Sequence, residues 1–179
     1  MSLRTVEIPE GVEVQVEGLK VRVRGPLGEL VRDFSHVAGK IAIRKDDGEV
    51  VVEMVGKPRR KKIALVGTIA AHIRNMITGV TKGFTYRLKI VYAHFPISVR
   101  VKDGYVVIEN FLGERSPRYA KIVGDVKISV EQDDVVVKGI DIEKVGQTAA
   151  NIENATRIKG KDPRVFLDGI YVYQKEVGM

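Results

Sequence analysis

The chain has 179 residues, enough for one domain or two small ones, and 44% of them are hydrophobic, enough for a packed core. Thirty Lys and Arg against 23 Asp and Glu leave a formal charge of +7, a balance suited to nucleic acid or an anionic surface. Cysteine is absent, which excludes disulfides, cysteine zinc sites and cysteine nucleophiles. No run approaches the roughly 18 apolar residues that span a bilayer. The first residues, Met1-Ser2-Leu3-Arg4, carry neither the apolar core of a signal peptide nor the Arg-rich character of a transit peptide. A cytoplasmic protein with no membrane partner is the expectation.

In chain order, the first strong signal is the alternation Val12-Glu-Val-Gln-Val16, the pattern of a half-buried strand. Ile97-Ser-Val-Arg-Val101 repeats it 85 positions later. The same offset places Val21 on Val106, Val23 on Ile108, Leu27-Gly28-Glu29 on Leu112-Gly113-Glu114, Ile41 on Val126, Ile43 on Ile128 and Val50-Val51-Val52 on Val135-Val136-Val137. Further on the offset falls to 79, with Gly67 on Gly146, Ala70 on Ala149, Ile73 on Ile152 and Asn75 on Asn154. The six-residue difference lies around Lys57–Lys62, an insertion in the first copy.

Each copy then reads as four strands, a helix and a strand. Asp46-Asp47-Gly48 and Gln132-Asp133-Asp134 mark equivalent hairpin turns, and Lys102-Asp103-Gly104 another. Gly25-Pro-Leu-Gly28 comes after the hairpin of residues 12–24; it has the spacing of a KH-type loop but strands on both sides, so a turn is the better reading. The first helix is expected from about Pro58, with Val66, Ile69, Ala70, Ile73, Met76, Ile77 and Val80 on one face and a stop at Gly79 or Gly83. The second is expected from Asp141 as N-cap, with Ile142, Val145, Ala149 and Ile152 facing the core and Gly160 as its stop. The fold class is α+β: two tandem duplicated domains, 1–82 and 83–179, each an antiparallel sheet packed against one main helix.

Three basic clusters stand out. Lys57, Arg59, Arg60, Lys61 and Lys62 precede the first helix, where cations oppose the helix dipole. Arg115, Arg118 and Lys121 come after Asn110-Phe-Leu-Gly-Glu114. Arg157, Lys159, Lys161 and Arg164 lead into the apolar run Val165 to Val172, read as a buried strand with the cationic loop on its shoulder. Tyr119, Phe166, Tyr171 and Tyr173 are interleaved, so phosphate pairing and base stacking are both available. Taken one at a time, each cluster also reads as a solvated loop. Asp162-Pro163 is a turn starter and Asp168-Gly169 a bulge or turn. His36, His72 and His94 are far apart and lack a metal-ligand spacing; no catalytic residue, metal site or nucleotide fingerprint is singled out.

Several of these stretches resemble one family. Asn75-Met-Ile-Thr-Gly-Val-Thr-Lys-Gly-Phe84, Tyr92-Ala-His-Phe-Pro-Ile97, Asn110-Phe-Leu-Gly-Glu114 and Phe166-Leu-Asp-Gly-Ile-Tyr-Val172 are similar to segments of large-subunit ribosomal protein six, in its archaeal and eukaryotic branch, whose eukaryotic counterpart is numbered nine. The resemblance covers essentially the whole chain, the duplication included. It implies a cytoplasmic, ribosome-bound protein that contacts large-subunit (23S-type) rRNA mainly through residues 83–179, near the elongation-factor site and the stalk base, beside neighbouring ribosomal proteins. Carried over, the contacts are Arg157, Lys159, Lys161, Asp162, Arg164 and Tyr171, with Arg115, Arg118 and Lys121 from the preceding loop; the cluster at 57–62 is secondary. The implied role is structural, with no cofactor, metal or small-molecule substrate. A free-standing RNA-binding or chaperone module and a hydrolase built on acidic residues of the second sheet remain the alternatives from sequence.

Overall fold

The structure, a computed structural model, describes residues 3–179. Two compact units divide between Lys82 and Gly83. In the first, β1 (Leu3–Glu7), β6 (Glu49–Met54) and β5 (Ile41–Asp46) form one antiparallel sheet in the order β1-β6-β5. β2 (Glu13–Glu17), β3 (Lys20–Gly25) and β4 (Gly28–Asp33) form a second as a meander. α1 (Arg60–Thr81) closes the unit. In the second unit, β11 (Lys127–Glu131), β12 (Asp134–Gly139), β7 (Phe84–Val91) and β13 (Gly169–Val177) lie in the order β11-β12-β7-β13. β8 (Ser98–Lys102), β9 (Tyr105–Glu109) and β10 (Arg118–Lys121) make the companion meander, and α2 (Ile142–Ala155) is the helix.

The fold class is α+β and duplicated, with each unit dividing its strands between two sheets. The division comes from chain direction: β2 to β4 connect by short turns into a meander of their own, while β5 pairs with β6 and β6 pairs with β1, the strand that opens the unit. The strand after α1, β7, belongs to the second unit as its opening strand. Val6 faces Val50 and Leu88 faces Val135, so β1 and β7 are equivalents at an offset of 82, and both residues are buried. The repeat thus has a third offset, and among the described residues β13 has no counterpart in the first unit.

α1 presents Val66, Ile69, Ala70, Ile73, Met76, Ile77 and Val80 to the core formed with Val14, Val21, Val23, Phe34, Val50 and Val52. By length and composition alone α1 could cross a bilayer, yet its apolar stripe is taken up by its own unit's sheets. It approaches β3 closely: a Cβ on Gly25 would lie 2.7 Å from Val80 Cγ2, and Leu27 N donates to Val80 O at 2.9 Å. α1 starts later than the sequence suggests, at Arg60, with Arg59 as an extended N-cap and Pro58 outside the helix. It runs through Gly79 to Thr81; Gly83, at φ +75°, supplies the left-handed turn after the Lys82 C-cap.

In the second unit Val145, Ala149 and Ile152 of α2 pack with Leu88, Ile90, Val106, Ile108, Val135, Val137 and Ile170. Asp141 is its N-cap, accepting from Glu143 N at 3.0 Å. Asp141→Ala is expected to cost about 1 kcal/mol, read as a lower urea midpoint with an unchanged slope. α2 ends at Ala155 with Thr156 as C-cap, not at Gly160, because the Thr156 hydroxyl donates to Glu153 O at 3.1 Å and accepts from Ile170 N at 3.0 Å. That residue ties the helix end to β13.

Candidate nucleic-acid interface

Two of the three basic clusters meet in the second unit, and Arg118 is where they join. Its Nε donates to Glu114 Oε2 at 2.9 Å and its Nη2 to Glu114 Oε1 at 2.7 Å. Its Nη1 donates to Ala155 O and Arg157 O, each at 3.0 Å, and the guanidinium lies 4.4 Å from the Phe111 ring centroid. One planar group therefore holds the loop of residues 110–117, the last turn of α2 and the start of the loop of residues 156–168. Only a guanidinium offers that fork of donors. Its side chain is 24% exposed, so Arg118 is a bracket within the unit and its carboxylate partner is already taken.

The bracket holds a contorted backbone. Asn110, Leu112 and Gly113 adopt positive φ, at 61°, 52° and 75°. Such conformations persist where the surroundings over-determine them. Here Phe111 is buried, Asn110 Nδ2 donates to Pro96 O at 3.0 Å, and the Phe95 ring packs within 2.9 Å of where a Gly113 Cβ would sit. Leu112-Gly113-Glu114 and Leu27-Gly28-Glu29 share a sequence pattern and differ in structure: the former makes a 3-10 turn, the latter opens β4.

The second loop has its own scaffold. Asp162 accepts from Arg164 N at 3.0 Å, from Arg164 Nε at 3.1 Å and from Arg164 Nη2 at 3.2 Å, while its carbonyl accepts from Val165 N and Phe166 N. The Arg164 side chain and then its amide hold the Asp162 carboxyl below the usual carboxylate range. An anion in that position shapes the turn and aims Arg164, whose side chain is 89% exposed. Lys161 Nζ lies 4.7 Å from the Phe166 ring centroid. Lys161 also helps, after Arg118, to keep the Glu114 carboxyl below its ordinary value, against the opposing effect of burial. The Arg118 bonds to Glu114 and to Arg157 O hold the two loops side by side.

Tyr171 closes the base of the loop. Its hydroxyl shares one proton between Leu167 O at 3.0 Å and Asp168 O at 3.3 Å, and burial first, then Asp168 and Glu153, push the hydroxyl up from the ordinary tyrosine range. Arg115, Lys121, Arg157 and Lys159 are exposed, and none is in an ion pair among the described residues. The apolar lead-in to the last strand departs from the sequence reading. β13 begins only at Gly169, and Val165 and Leu167 stand 70% and 61% exposed on the loop. The Asp162 turn sends these residues away from the sheet before the Thr156 hydroxyl captures the chain at Ile170.

The first cluster lies in the other unit. Lys62 Nζ is used internally, donating to Val55 O at 2.8 Å and Lys57 O at 3.4 Å, which closes the inserted loop. Lys57, Arg59, Arg60 and Lys61 are exposed, and α1 has no acidic residue in its first turn. Among the described residues no three His, Asp or Glu side chains could together hold a metal ion.

Comparison with known proteins adds an independent finding. The family model described as Ribosomal protein L6 matches residues 8–83 and again residues 95–169, the two copies of the repeat. A "Large ribosomal subunit protein uL6" of Ignicoccus hospitalis is 58% identical over 175 residues, covering 96% of this chain and 94% of that protein. Proteins of the same name from Staphylothermus marinus and Methanothrix thermoacetophila are 60% and 53% identical, covering 94% and 97% of this chain and 91% and 97% of their own lengths.

Proposed function

The chain belongs to the ribosomal protein L6 family, and on that footing we propose that it is a structural constituent of the large ribosomal subunit that binds large-subunit rRNA through its second unit. The observation that carries the reading is the convergence of the loops at 110–121 and 156–168 on the Arg118 bracket. Together they offer Arg115, Arg157, Lys159, Lys161 and Arg164 as a preformed cationic surface, while Lys121, in register with Tyr105, lies on the opposite face of β10 from Arg118. A preformed surface avoids ordering loops on binding. Phosphate neutralisation supplies most of the affinity, and the fixed shape of the loops supplies register.

Within this reading the residues divide by role. Lys159, Lys161 and Arg164 meet phosphates directly. Arg118, Asp162 and Tyr171 position the loops, since their polar groups are engaged inside the unit. Exposed ion pairs contribute little, so Arg164 can exchange Asp162 for a phosphate at small cost. The exposed Phe166 and Leu167 offer an apolar edge to sugars or unpaired bases. The cluster at Lys57–Lys62 is a secondary contact, with an rRNA segment or a neighbouring ribosomal protein. The placement on the subunit is near the elongation-factor and stalk-base region, in the cytoplasm.

The test is a titration of the full chain with a 23S-type rRNA fragment from that region and with an unrelated duplex, across a salt series. The expected result is tighter binding of the fragment at every salt. Equal binding of both, lost together as salt rises, would leave only a basic surface and overturn a dedicated ribosomal site.

A further inference from the structure

The duplication supplies an internal control that points to a second surface. The meander β2-β3-β4 and the meander β8-β9-β10 are equivalent, and each turns one face to its core and one outward. In the first unit the outward residues are Glu13, Gln15 and Glu17 on β2, Lys20, Arg22 and Arg24 on β3, and Glu29, Val31 and Asp33 on β4. Acids and bases are interspersed there, Arg22 pairs with Glu29 at 3.2 Å, and no aromatic side chain is present. In the second unit, strand register replaces Glu17 by Lys102, Asp33 by Lys121, Gln15 by Arg100, Lys20 by Tyr105 and Val31 by Tyr119. The one carboxylate on this second face, Glu109, is held by Arg100 through bonds of 3.1 and 2.9 Å to Oε1.

Tyr105 and Tyr119 stand edge to face, centroids 6.1 Å apart and planes at 84°, with 42% and 60% of their surface exposed. Tyr105 lies in register between Lys102 and Lys121. The hydroxyls of Tyr171 and Tyr173 are engaged by hydrogen bonds, whereas those of Tyr105 and Tyr119 have none among the described residues. Arg118, next to Tyr119 in the strand, points to the opposite face and serves the loop bracket. The two surfaces are therefore separated by the thickness of one sheet.

We propose that the outward face of β8-β9-β10 is a stacking platform for unpaired rRNA nucleotides, with Tyr119 and Tyr105 taking the bases and Lys102 and Lys121 the flanking phosphates. The charge change relative to the equivalent face of the first unit selects a polyanion. Two exposed rings select bases that are free to splay out, since a duplex hides its base faces. The proposal rests on the reading of this chain as an rRNA-binding protein and extends it to a face that the loops do not reach.

The chain has no tryptophan and six tyrosines, so tyrosine fluorescence reports directly on stacking. The probes are an oligouridylate of about ten nucleotides and a duplex of the same length, titrated against the full chain. Tyr119→Leu keeps apolar cover beside the buried Val107 and removes the π face; Tyr119→Phe keeps the π face. The expected result is quenching by the single strand, roughly ten- to a hundredfold weaker binding of Tyr119→Leu, and near-normal binding of Tyr119→Phe. Unchanged affinity of Tyr119→Leu, or equal affinity for duplex and single strand, overturns the proposal. The variant lacking Lys159, Lys161 and Arg164 reads the other surface. If it alone loses the rRNA fragment while Tyr119→Leu keeps the oligouridylate, the sheet proposal fails and the loop reading stands. If Tyr119→Leu loses the oligouridylate while the loop variant keeps the fragment, the platform stands and the loop reading fails.

Discussion

Replacing Lys159, Lys161 and Arg164 together by alanine is expected to weaken binding of the rRNA fragment about a hundredfold near 0.15 M salt without lowering the melting temperature. Each phosphate contact carries a salt slope of roughly 0.7–0.9, so three lost contacts flatten the slope by about two to three, which at that salt amounts to about two decades of affinity. Stability is spared because all three side chains are exposed, and the interactions lost, Arg164 with Asp162 and Lys161 with the exposed Phe166 ring, are surface contacts that contribute little. The loop keeps its shape through backbone bonds from Val165 N and Phe166 N to Asp162 O. The measurement is a salt-dependent binding isotherm beside a thermal melt. An unchanged slope would place the phosphate contacts elsewhere on the chain.

The sequence carried the duplication because strand and helix cores restrict residue type. Val21 and Val106, Val50 and Val135, and Ile73 and Ile152 are all fully buried in their units, so apolar side chains recur at each pair and the offset shows. The edges were less restricted. β1 and β7 keep only alternate apolar positions and sit at a third offset, so their equivalence emerges from pairing with Val50 and Val135 rather than from matching letters. Splitting the strands between two sheets depends on hairpin closure, which alternation alone does not encode.

The candidate site divides in the same way. Cation clusters are visible as letters, and so were the loops that carry them. Their partners were not. Arg118 looks like its neighbours Arg115 and Lys121 in sequence, but it sits where Phe111, Glu114, Ala155 and Arg157 surround it, a set drawn from two stretches of chain far apart in sequence. Val165 and Leu167 mislead in the opposite sense. An apolar run beside a strand suggests burial, yet a turn fixed by Asp162 leaves them outside. The signal available was Asp162-Pro163 itself, since a turn starter redirects the residues after it.

Arg118→Ala is expected to destabilise the second unit by about 2–3 kcal/mol, a fall in its melting temperature of roughly 10–20 °C for a domain of this size. The substitution removes four charge-assisted hydrogen bonds, leaves a carboxylate without its partner, and takes the guanidinium off the Phe111 ring. Arg118→Lys is expected to recover little, since an ammonium cannot serve Glu114 and two backbone carbonyls at once. The pH dependence separates this role from simple packing. Glu114 titrates below its ordinary 4.5 in the folded unit, chiefly through its hydrogen bonds to Arg118. Its contribution is therefore full above about 4.5 and is lost as pH falls through the lower folded value. Urea unfolding of the parent chain should show that loss below pH 4.5, and the Arg118→Ala curve should be flatter over the same window. Parallel curves would mean that Glu114 draws its stabilisation from another group, and the bracket would reduce to the two carbonyl bonds that hold the end of α2 to the loop.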